Sequence, residues 1–395
     1  MIRKALLLRL FDAAYMQRWN DHIRPVALTE LDKQGHKMLI AYLLGKFEED
    51  DQHFNWLEVM EGGTFELLQR IVLTDLKPPI FYRIKQDHAK YRQLNDWVYD
   101  QLKPVLSPLG ESFRRRFRDY FLEPEDTLNR RVLRAAHLMA TRWEFKIIER
   151  ADPDGYEIPT IKEDLDRRIG EFSDLEGVRQ ITDSRKLTAF VNMCGQLRFQ
   201  ARWAHLHRVP RTSVLGHSLF VAVLCHLFSL ELNACGRRFF NNYFSGLFHD
   251  LPEVLTRDII SPVKRSVTGL SDLIKEYEKE QMEREVYHLI PKAWHGDIRR
   301  FTEDEFTSVV MVDGRRRVVS TRDINDKYND DGFDPRDGEL VKAADRMAAF
   351  VEACEAIRNG GSSAEFQEAK LSIKHELRAL DLGNLDLGQL CADFD

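Results

Sequence analysis

The sequence predicts an all-α fold made of two related helical halves, with one small β-hairpin in the second half. Apolar residues recur at three- and four-residue spacing through most of the chain, and only one segment has the pattern of a hairpin. Short motifs of the first half also reappear in the same order in the second. At 395 residues, the chain is long for one compact core, which favours two units.

The composition indicates a globular chain. Hydrophobic residues make up 43% of the sequence, which supplies ample apolar surface to bury, and no low-complexity tract suggests a disordered arm. Lys and Arg total 58 against 64 Asp and Glu, so the net charge of -6 gives no reason to expect a polyanion-binding surface. We therefore expect no nucleic acid partner.

The cysteines and the N-terminal segment indicate the cellular compartment of the protein. The five cysteines are odd in number and scattered, with no CxxC pair, which argues against a disulfide framework and against a zinc knuckle. Arg9 and Asp12 interrupt the apolar run at the N-terminus, and we identify no stretch that approaches the length of a bilayer span. The sequence therefore predicts a cytoplasmic protein with no membrane partner.

Two segments of the second half carry the clearest helical pattern, with apolar residues on one face. These residues are Leu219, Phe220, Val223, Leu224, Leu227 and Phe228 in the first segment, and Leu340, Val341, Ala344, Met347, Ala348 and Val351 in the second. The hairpin is predicted at 308–320, where β-branched runs flank Asp313-Gly314, a pair suited to a two-residue turn. The stretch from there to about Gly338 is rich in Asp, Asn and Gly and predicts an exposed loop.

Four short motifs occur in both halves and predict a tandem duplication. The pairs are Arg18-Trp19 with Arg202-Trp203, Gly35-His36 with Gly216-His217, Leu73-Thr74-Asp75 with Leu255-Thr256-Arg257-Asp258, and 135–140 with 343–348. The offset between copies is 181 to 184 residues for the first three pairs and 208 for the last, so an insertion lies late in the second copy. We therefore expect domains at 1–184 and 185–395.

Four polar residues of the second half stand in or beside apolar helical segments. His217 begins one segment, His249-Asp250 follows a second, and Asp345 lies in a third. Each residue alone is more often a capped, paired or surface group. As a set they indicate a metal site, because unpaired carboxylates are costly to bury and one cation satisfies them together. Imidazole and carboxylate ligands suit Mn, Fe, Co, Zn or similar ions, which can activate a bound water.

The ordered pattern His, His-Asp, Asp resembles the HD-domain metal-dependent phosphohydrolases. The surrounding motifs are most similar to the bacterial 5'-deoxynucleotidases of that superfamily. They are Arg202-Trp203, His217-Ser218, His249-Asp250 with Glu253, Leu255-Thr256, Asp258, Pro262-Val263-Lys264 and the run 340–345. The resemblance covers about 190 to 375 and implies a catalytic HD domain within 185–395.

The resemblance also implies a role for each matching residue. The metal ligands would be His217, His249, Asp250 and Asp345, the catalytic residues Glu253 and Asp250, and the substrate contacts Arg202, Trp203, Asp258 and Lys264. The cofactor would be one divalent ion, which is Mn, Co, Fe, Zn or Mg. Arg202 would hold the 5'-phosphate, Trp203 would disfavour a 2'-hydroxyl, and Asp258 would accept a hydrogen bond from the 3'-hydroxyl. Glu253 would position water or move protons, although Pro252 departs from the family's pattern there.

The first half lacks such a ligand set. Its His36 is retained, but Phe65-Glu66 stands where His-Asp would fall, and His137 replaces the final Asp. We expect a degenerate HD-like domain without a metal site, packed on the second half as an intramolecular pseudo-dimer. A homo-oligomer, and a regulatory nucleotide pocket around Arg18-Trp19, are left open.

The leading functional hypothesis is a metal-dependent phosphohydrolase that releases phosphate from (deoxy)nucleoside 5'-monophosphates by attack of a metal-activated water. Three alternatives stay open: a deoxynucleoside triphosphate triphosphohydrolase, a cyclic or alarmone nucleotide hydrolase, and a non-catalytic nucleotide-sensing or scaffold protein. The extra histidines His288 and His295 could add a second metal, but a structural role is the simpler interpretation.

Overall fold

The structure is a computed structural model that describes residues 2–74, 76–122, 125–259, 263 and 267–395. The first half is helical. Its helices are α1 (Lys4–Phe11), α2 (Glu30–Glu48), α3 (Trp56–Leu73), α4 (Pro78–Gln86), α5 (His88–Leu106), α6 (Glu111–Leu122), α7 (Leu128–Ala151), α8 (Ile158–Gly170) and α9 (Glu176–Asp183). A two-residue strand pair, β1 (Gln17–Arg18) and β2 (Leu28–Thr29), precedes α2.

The second half is also helical. Its helices are α10 (Arg185–Gln196), α11 (Val214–Glu231), α12 (Gly236–Phe248), α13 (Glu253–Thr256), α14 (Leu270–Gln281), α15 (His295–Thr302), α16 (Gly338–Arg358), α17 (Ala364–Arg378) and α18 (Leu387–Ala392). Strands β3 (Val309–Val312) and β4 (Arg315–Val318) pair antiparallel. The all-α prediction with one small hairpin is confirmed.

The hairpin turns where the sequence predicts it. Asp313 and Gly314 both have positive φ, 51° and 72°, as the tight turn between twisted strands requires. The predicted exposed loop that follows is wrong in part. Short helical turns cover 321–328 and 331–333, and Arg336 and Asp337 are buried. Polar side chains here satisfy one another inside the protein: the Asp337 carboxylate accepts hydrogen bonds from Arg238 and Thr321.

The two halves meet along α2 and α11. Both helices begin after a capping hydroxyl, Thr29 in one case and Ser213 in the other. A Cβ atom added at Gly35 would lie 2.9 Å from the backbone oxygen of Leu215, so the two backbones approach closely there. Apolar residues of both halves form one continuous buried cluster. The contact between the halves is therefore part of the protein core.

Helix α11 is long and apolar enough to cross a membrane by length and composition, with a mean hydropathy of 1.6 over its 18 residues. The expectation that no stretch approaches the length of a bilayer span is wrong for this helix. In the structure 89% of this segment is buried inside the protein. A helix that is apolar on all sides is expected at the centre of a large core, and α11 has that position.

Candidate active site

The four predicted metal ligands come from three helical segments. His217 is the fourth residue of α11, in the first turn after the Ser213 cap, and Asp345 lies in α16. Helix α12 ends at Phe248, and the one-turn helix α13 begins at Glu253. The His249-Asp250 pair therefore lies in the bend between these two helices, and Pro252 provides the start of α13.

These segments bring the ligand atoms together. The Nε2 atom of His217 lies 2.9 Å from Oδ1 of Asp345, and Nε2 of His249 lies 3.9 Å from that same oxygen. Ligand atoms of the three residues lie within 4.8 Å of one another. Asp250 joins them, with its Oδ2 atom 3.2 Å from Nε2 of His249. Asp345 is thus next to the His249-Asp250 pair, as a shared metal requires.

Hydrogen bonds prepare His249 for a metal. Its Nδ1 donates to the backbone oxygen of Gly246 at 2.9 Å, which leaves the lone pair of Nε2 for a ligand. Apart from each other at 3.2 Å, neither Nε2 of His249 nor Oδ2 of Asp250 has a hydrogen-bond partner in the parts of the chain that are described. Two unsatisfied buried polar atoms side by side, with a second imidazole and carboxylate in reach, fit a divalent cation.

The charges of the site are strongly coupled. Burial lowers the pKa of His249, but the Asp250 carboxylate outweighs it and raises that pKa to about 9. Burial raises the pKa of Asp345, but the hydrogen bond from His217 holds it well below its ordinary value. Without a metal, the imidazoles and carboxylates therefore form ion pairs, and a metal must displace protons to bind.

A buried glutamate organises the arginine and tryptophan beside this site. Glu352 accepts hydrogen bonds from Nε of Arg202 at 3.2 Å and from Nε1 of Trp203 at 3.0 Å. Its other oxygen lies 3.6 Å from Nδ1 of His217. The Nη1 atom of Arg202 lies 3.7 Å from Oδ2 of Asp250. One carboxylate therefore links the predicted phosphate-binding cation to a predicted metal ligand.

Sequence reasoning missed Glu352. It lies seven residues after Asp345 in α16, which is two helical turns and the same face. Glu144 has the same spacing from His137 in α7, and it accepts hydrogen bonds from Arg18 at 2.8 Å and from Trp19 at 3.0 Å. The repeat extended by one more position would have identified it.

Comparison with known proteins agrees with this arrangement. Residues 194–381 match the family of HD domains. The second half of the chain contains an HD domain. A 5'-deoxynucleotidase of Pectobacterium atrosepticum is 24% identical over 197 residues, 48% of this chain and 83% of that protein. A 5'-deoxynucleotidase of Pasteurella multocida is 23% identical over 196 residues, 48% of this chain and 84% of that protein. Over this region the chain is thus similar to HD domains and to proteins named 5'-deoxynucleotidases.

Three further residues were predicted to act in this site: Asp258, Glu253 and Lys264. Asp258 is half-buried; burial lowers the pKa of Arg202, and the negative charges of Glu352 and then of Asp258 raise it. Glu253 is buried at the start of α13, where its backbone oxygen accepts a hydrogen bond from Gln200 at 2.9 Å. Lys264 lies outside the described residues.

The extra histidines do not join the metal cluster of the HD domain. His295 lies at the start of α15, where its ring packs 5.1 Å from that of Tyr287. The groups that could hold a metal, in the ranges that the structure describes, include neither His288 nor His295.

The first half has a different pair where the HD domain has His217 and Asp345. Lys33 is the fourth residue of α2, as His217 is of α11, and its ammonium group donates to Nδ1 of His137. The sequence pairing of His36 with His217 does not hold in the structure. The Nε2 atom of His36 donates instead to the backbone oxygen of Val191 at 2.9 Å, one turn away from Lys33.

Proposed function

We propose that the chain hydrolyses (deoxy)nucleoside 5'-monophosphates to a nucleoside and phosphate, with one divalent metal ion held by His217, His249, Asp250 and Asp345. The observation that carries this proposal is the position of Arg202. Its guanidinium lies between the buried Glu352 and the ligand Asp250, so a phosphate bound to it would also face the metal ligands.

The roles of the side chains follow from this placement. Arg202 binds the phosphate oxygens and balances the charge that develops on the transferring phosphoryl group. The metal, when bound, supplies Lewis acidity and lowers the pKa of a water. In the overall hydrolysis a water oxygen would bond to phosphorus, the bond from phosphorus to the 5'-oxygen would break, and the 5'-oxygen would gain a proton, while His217, His249, Asp250 and Asp345 would hold the metal. Glu253, buried three residues from Asp250, positions the water or moves its proton.

The nucleoside contacts are assigned to Trp203 and Asp258. Trp203 is fixed by its hydrogen bond to Glu352 and by packing 5.5 Å from the ring of Phe366, so it presents a rigid wall at the sugar. Asp258, whose negative charge acts on Arg202, would accept a hydrogen bond from the 3'-hydroxyl. Two relatives named 5'-deoxynucleotidase support the choice of a deoxynucleotide.

We also propose that the chain is a tandem duplication with copies at 1–184 and 185–395, in which the first copy serves as the partner of the HD domain. The matching contacts of Arg18, Trp19 and Glu144 with those of Arg202, Trp203 and Glu352 support this view. The continuous core across α2 and α11 supports it as well.

The test is a nucleotide panel with the full chain in Mn or Co. We expect free phosphate from deoxynucleoside 5'-monophosphates, and no release by Asp250→Ala. Asp326→Ala, at an exposed aspartate of the second half, should retain full activity. Tripolyphosphate or pyrophosphate as the product would replace the proposal by another HD reaction, and binding without turnover in every metal would indicate a sensor. Equal phosphate release by Asp250→Ala would reject the metal assignment.

A further inference from the structure

A cleft lies where α1 of the first half meets the C-terminal helices of the second half. Its volume is about 460 Å³, which is within the range of small-molecule sites. Lys4 and Leu8 of α1 line it, together with the C-terminal end of α16 and Lys370 of α17. Among the residues that the structure describes, none of the predicted metal ligands or substrate contacts lines it. The cleft is therefore separate from the candidate active site.

Part of the cleft wall is apolar. This part consists of Leu8, Ile357 and Phe394, the last of which is 8% exposed. The ring of Phe394 packs edge-on against that of Phe350, with 5.3 Å between the ring centroids. The wall therefore presents a fixed aromatic surface, against which an apolar or aromatic group of a ligand can pack.

The polar part of the cleft is mainly cationic. It has three cations, Lys4, Arg358 and Lys370, and one carboxylate, Glu355, so positive charge exceeds negative charge by two. The two oxygens of Glu355 are already used. They accept hydrogen bonds from the hydroxyl of Tyr15 at 2.9 Å and from Nη1 of Arg358 at 3.3 Å. Glu355 thus compensates the charge of Arg358, and the two lysines remain.

The two lysine ammonium groups have no carboxylate of their own. Across the described parts of the chain, neither Lys4 nor Lys370 has a carboxylate oxygen within salt-bridge distance. The ammonium group of Lys4 lies over the ring of Phe394, 5.1 Å from its centroid. This contact positions the charge of Lys4 at the cleft but does not neutralise it, and the N–H groups can still donate.

The two aspartates on either side of Phe394 do not supply the missing charge. Asp393 bonds to Nε of Arg3 at 2.7 Å, and Asp395 pairs with Lys374. Both carboxylates thus have a cation outside the cleft lining. An anion from solution is the remaining way to compensate Lys4 and Lys370 at close range.

We propose that this cleft binds a small phosphate monoester, with its phosphate at Lys4, Arg358 and Lys370 and its apolar body against the ring of Phe394. A phosphate monoester carries a charge of about -1.5 to -2 at neutral pH, which matches the excess of positive charge in the lining, whereas a single carboxylate supplies half of it. The three cations come from three different helices and can contact different phosphate oxygens. This inference does not depend on the activity of the HD domain.

The test is calorimetric titration of the full chain in EDTA with phenyl phosphate, and with inorganic phosphate and phenol as its two parts. We expect phenyl phosphate to bind more tightly than either part, and to bind about fivefold or more weakly in Lys4→Gln and in Lys370→Gln. Lys327→Gln, at an exposed lysine that pairs with Asp323, is the matched control and should bind like the wild type. Lys370 is half-buried and makes no ion pair with the described residues, so its variant should fold normally.

Three results would overturn the proposal. The first is the absence of phenyl phosphate binding in EDTA. The second is binding that is unchanged in both lysine variants. The third is binding that is lost entirely in Arg202→Gln, because the probe would then occupy the HD domain. None of these results bears on whether the metal-loaded protein hydrolyses nucleotides.

Discussion

Replacing Glu352 by Gln is the sharpest test of how the HD domain is organised. The side chain is fully buried, and three donors converge on it: Nε of Arg202, Nε1 of Trp203 and, at 2.7 Å, Oγ1 of Thr212. Gln has the same shape but lacks the charge, and it offers one acceptor oxygen in place of two. The half-buried Arg202 would then lose its closest counter-charge.

We expect the Glu352→Gln variant to lose both unfolding free energy and metal affinity. Breaking a buried ion pair on one side costs about 3–5 kcal/mol, and the remaining amide oxygen recovers some of this, so we expect a loss of about 3 kcal/mol of unfolding free energy. His217 Nδ1 lies 3.6 Å from Glu352, so the ring also loses the carboxylate that orients it. Removing such an outer partner lowers metal affinity by about 10–100-fold.

Glu144→Gln is the matched control. Glu144 is fully buried and holds Arg18, Trp19 and Arg198 in the first half. The Glu144→Gln substitution should lower the unfolding free energy in urea by a similar amount and leave metal affinity unchanged. Titrations of both variants with Mn measure the difference in metal affinity. If they bind Mn with the same affinity, Glu352 does not act on the metal ligands and the reasoning is refuted.

Two other predictions concern pH and packing. Because Asp250 raises the pKa of His249 to about 9, a proton must leave Nε2 before metal binds, so metal affinity should rise about tenfold per pH unit from about 6.5 to about 9. Affinity that is flat over this range, measured by Mn titration, would contradict it. Gly35→Ala places a Cβ 2.9 Å from the backbone of Leu215 and should cost about 1–3 kcal/mol in urea unfolding. Gly170→Ala, which meets no atom within 4 Å, should cost nothing.

The cluster of candidate metal ligands was predictable because its residue types are unusual in apolar helical segments. His217, His249 and Asp345 have few favourable alternatives there, and the structure brings their ligand atoms within 4.8 Å. Glu352 was not predictable in the same way. A single glutamate in a helix is normally a solvent-exposed residue, so its type alone gives no signal. Its equivalence to Glu144 in the repeat and its contacts with Arg202 and Trp203 identify it.

Two other errors have physical causes. The alignment of α2 with α11 was based on the shared Gly-His pairs, which match His36 with His217. Aligning the two helices by their caps, Thr29 and Ser213, matches Lys33 with His217 instead, and Lys33 contacts His137. The polar loop before α16 was expected to be exposed because of its composition. Composition does not show that Arg238 and Asp337 neutralise each other inside the protein.

The shared core across α2 and α11 has a consequence for how the molecule responds to dilution. Two subunits of an ordinary dimer separate as their concentration falls, and each then loses the support of the other. Here the two halves are joined by the polypeptide, and their contact buries residues such as Gly35 and Leu215 at one position. Their association is unimolecular, so it is as complete at nanomolar as at millimolar protein.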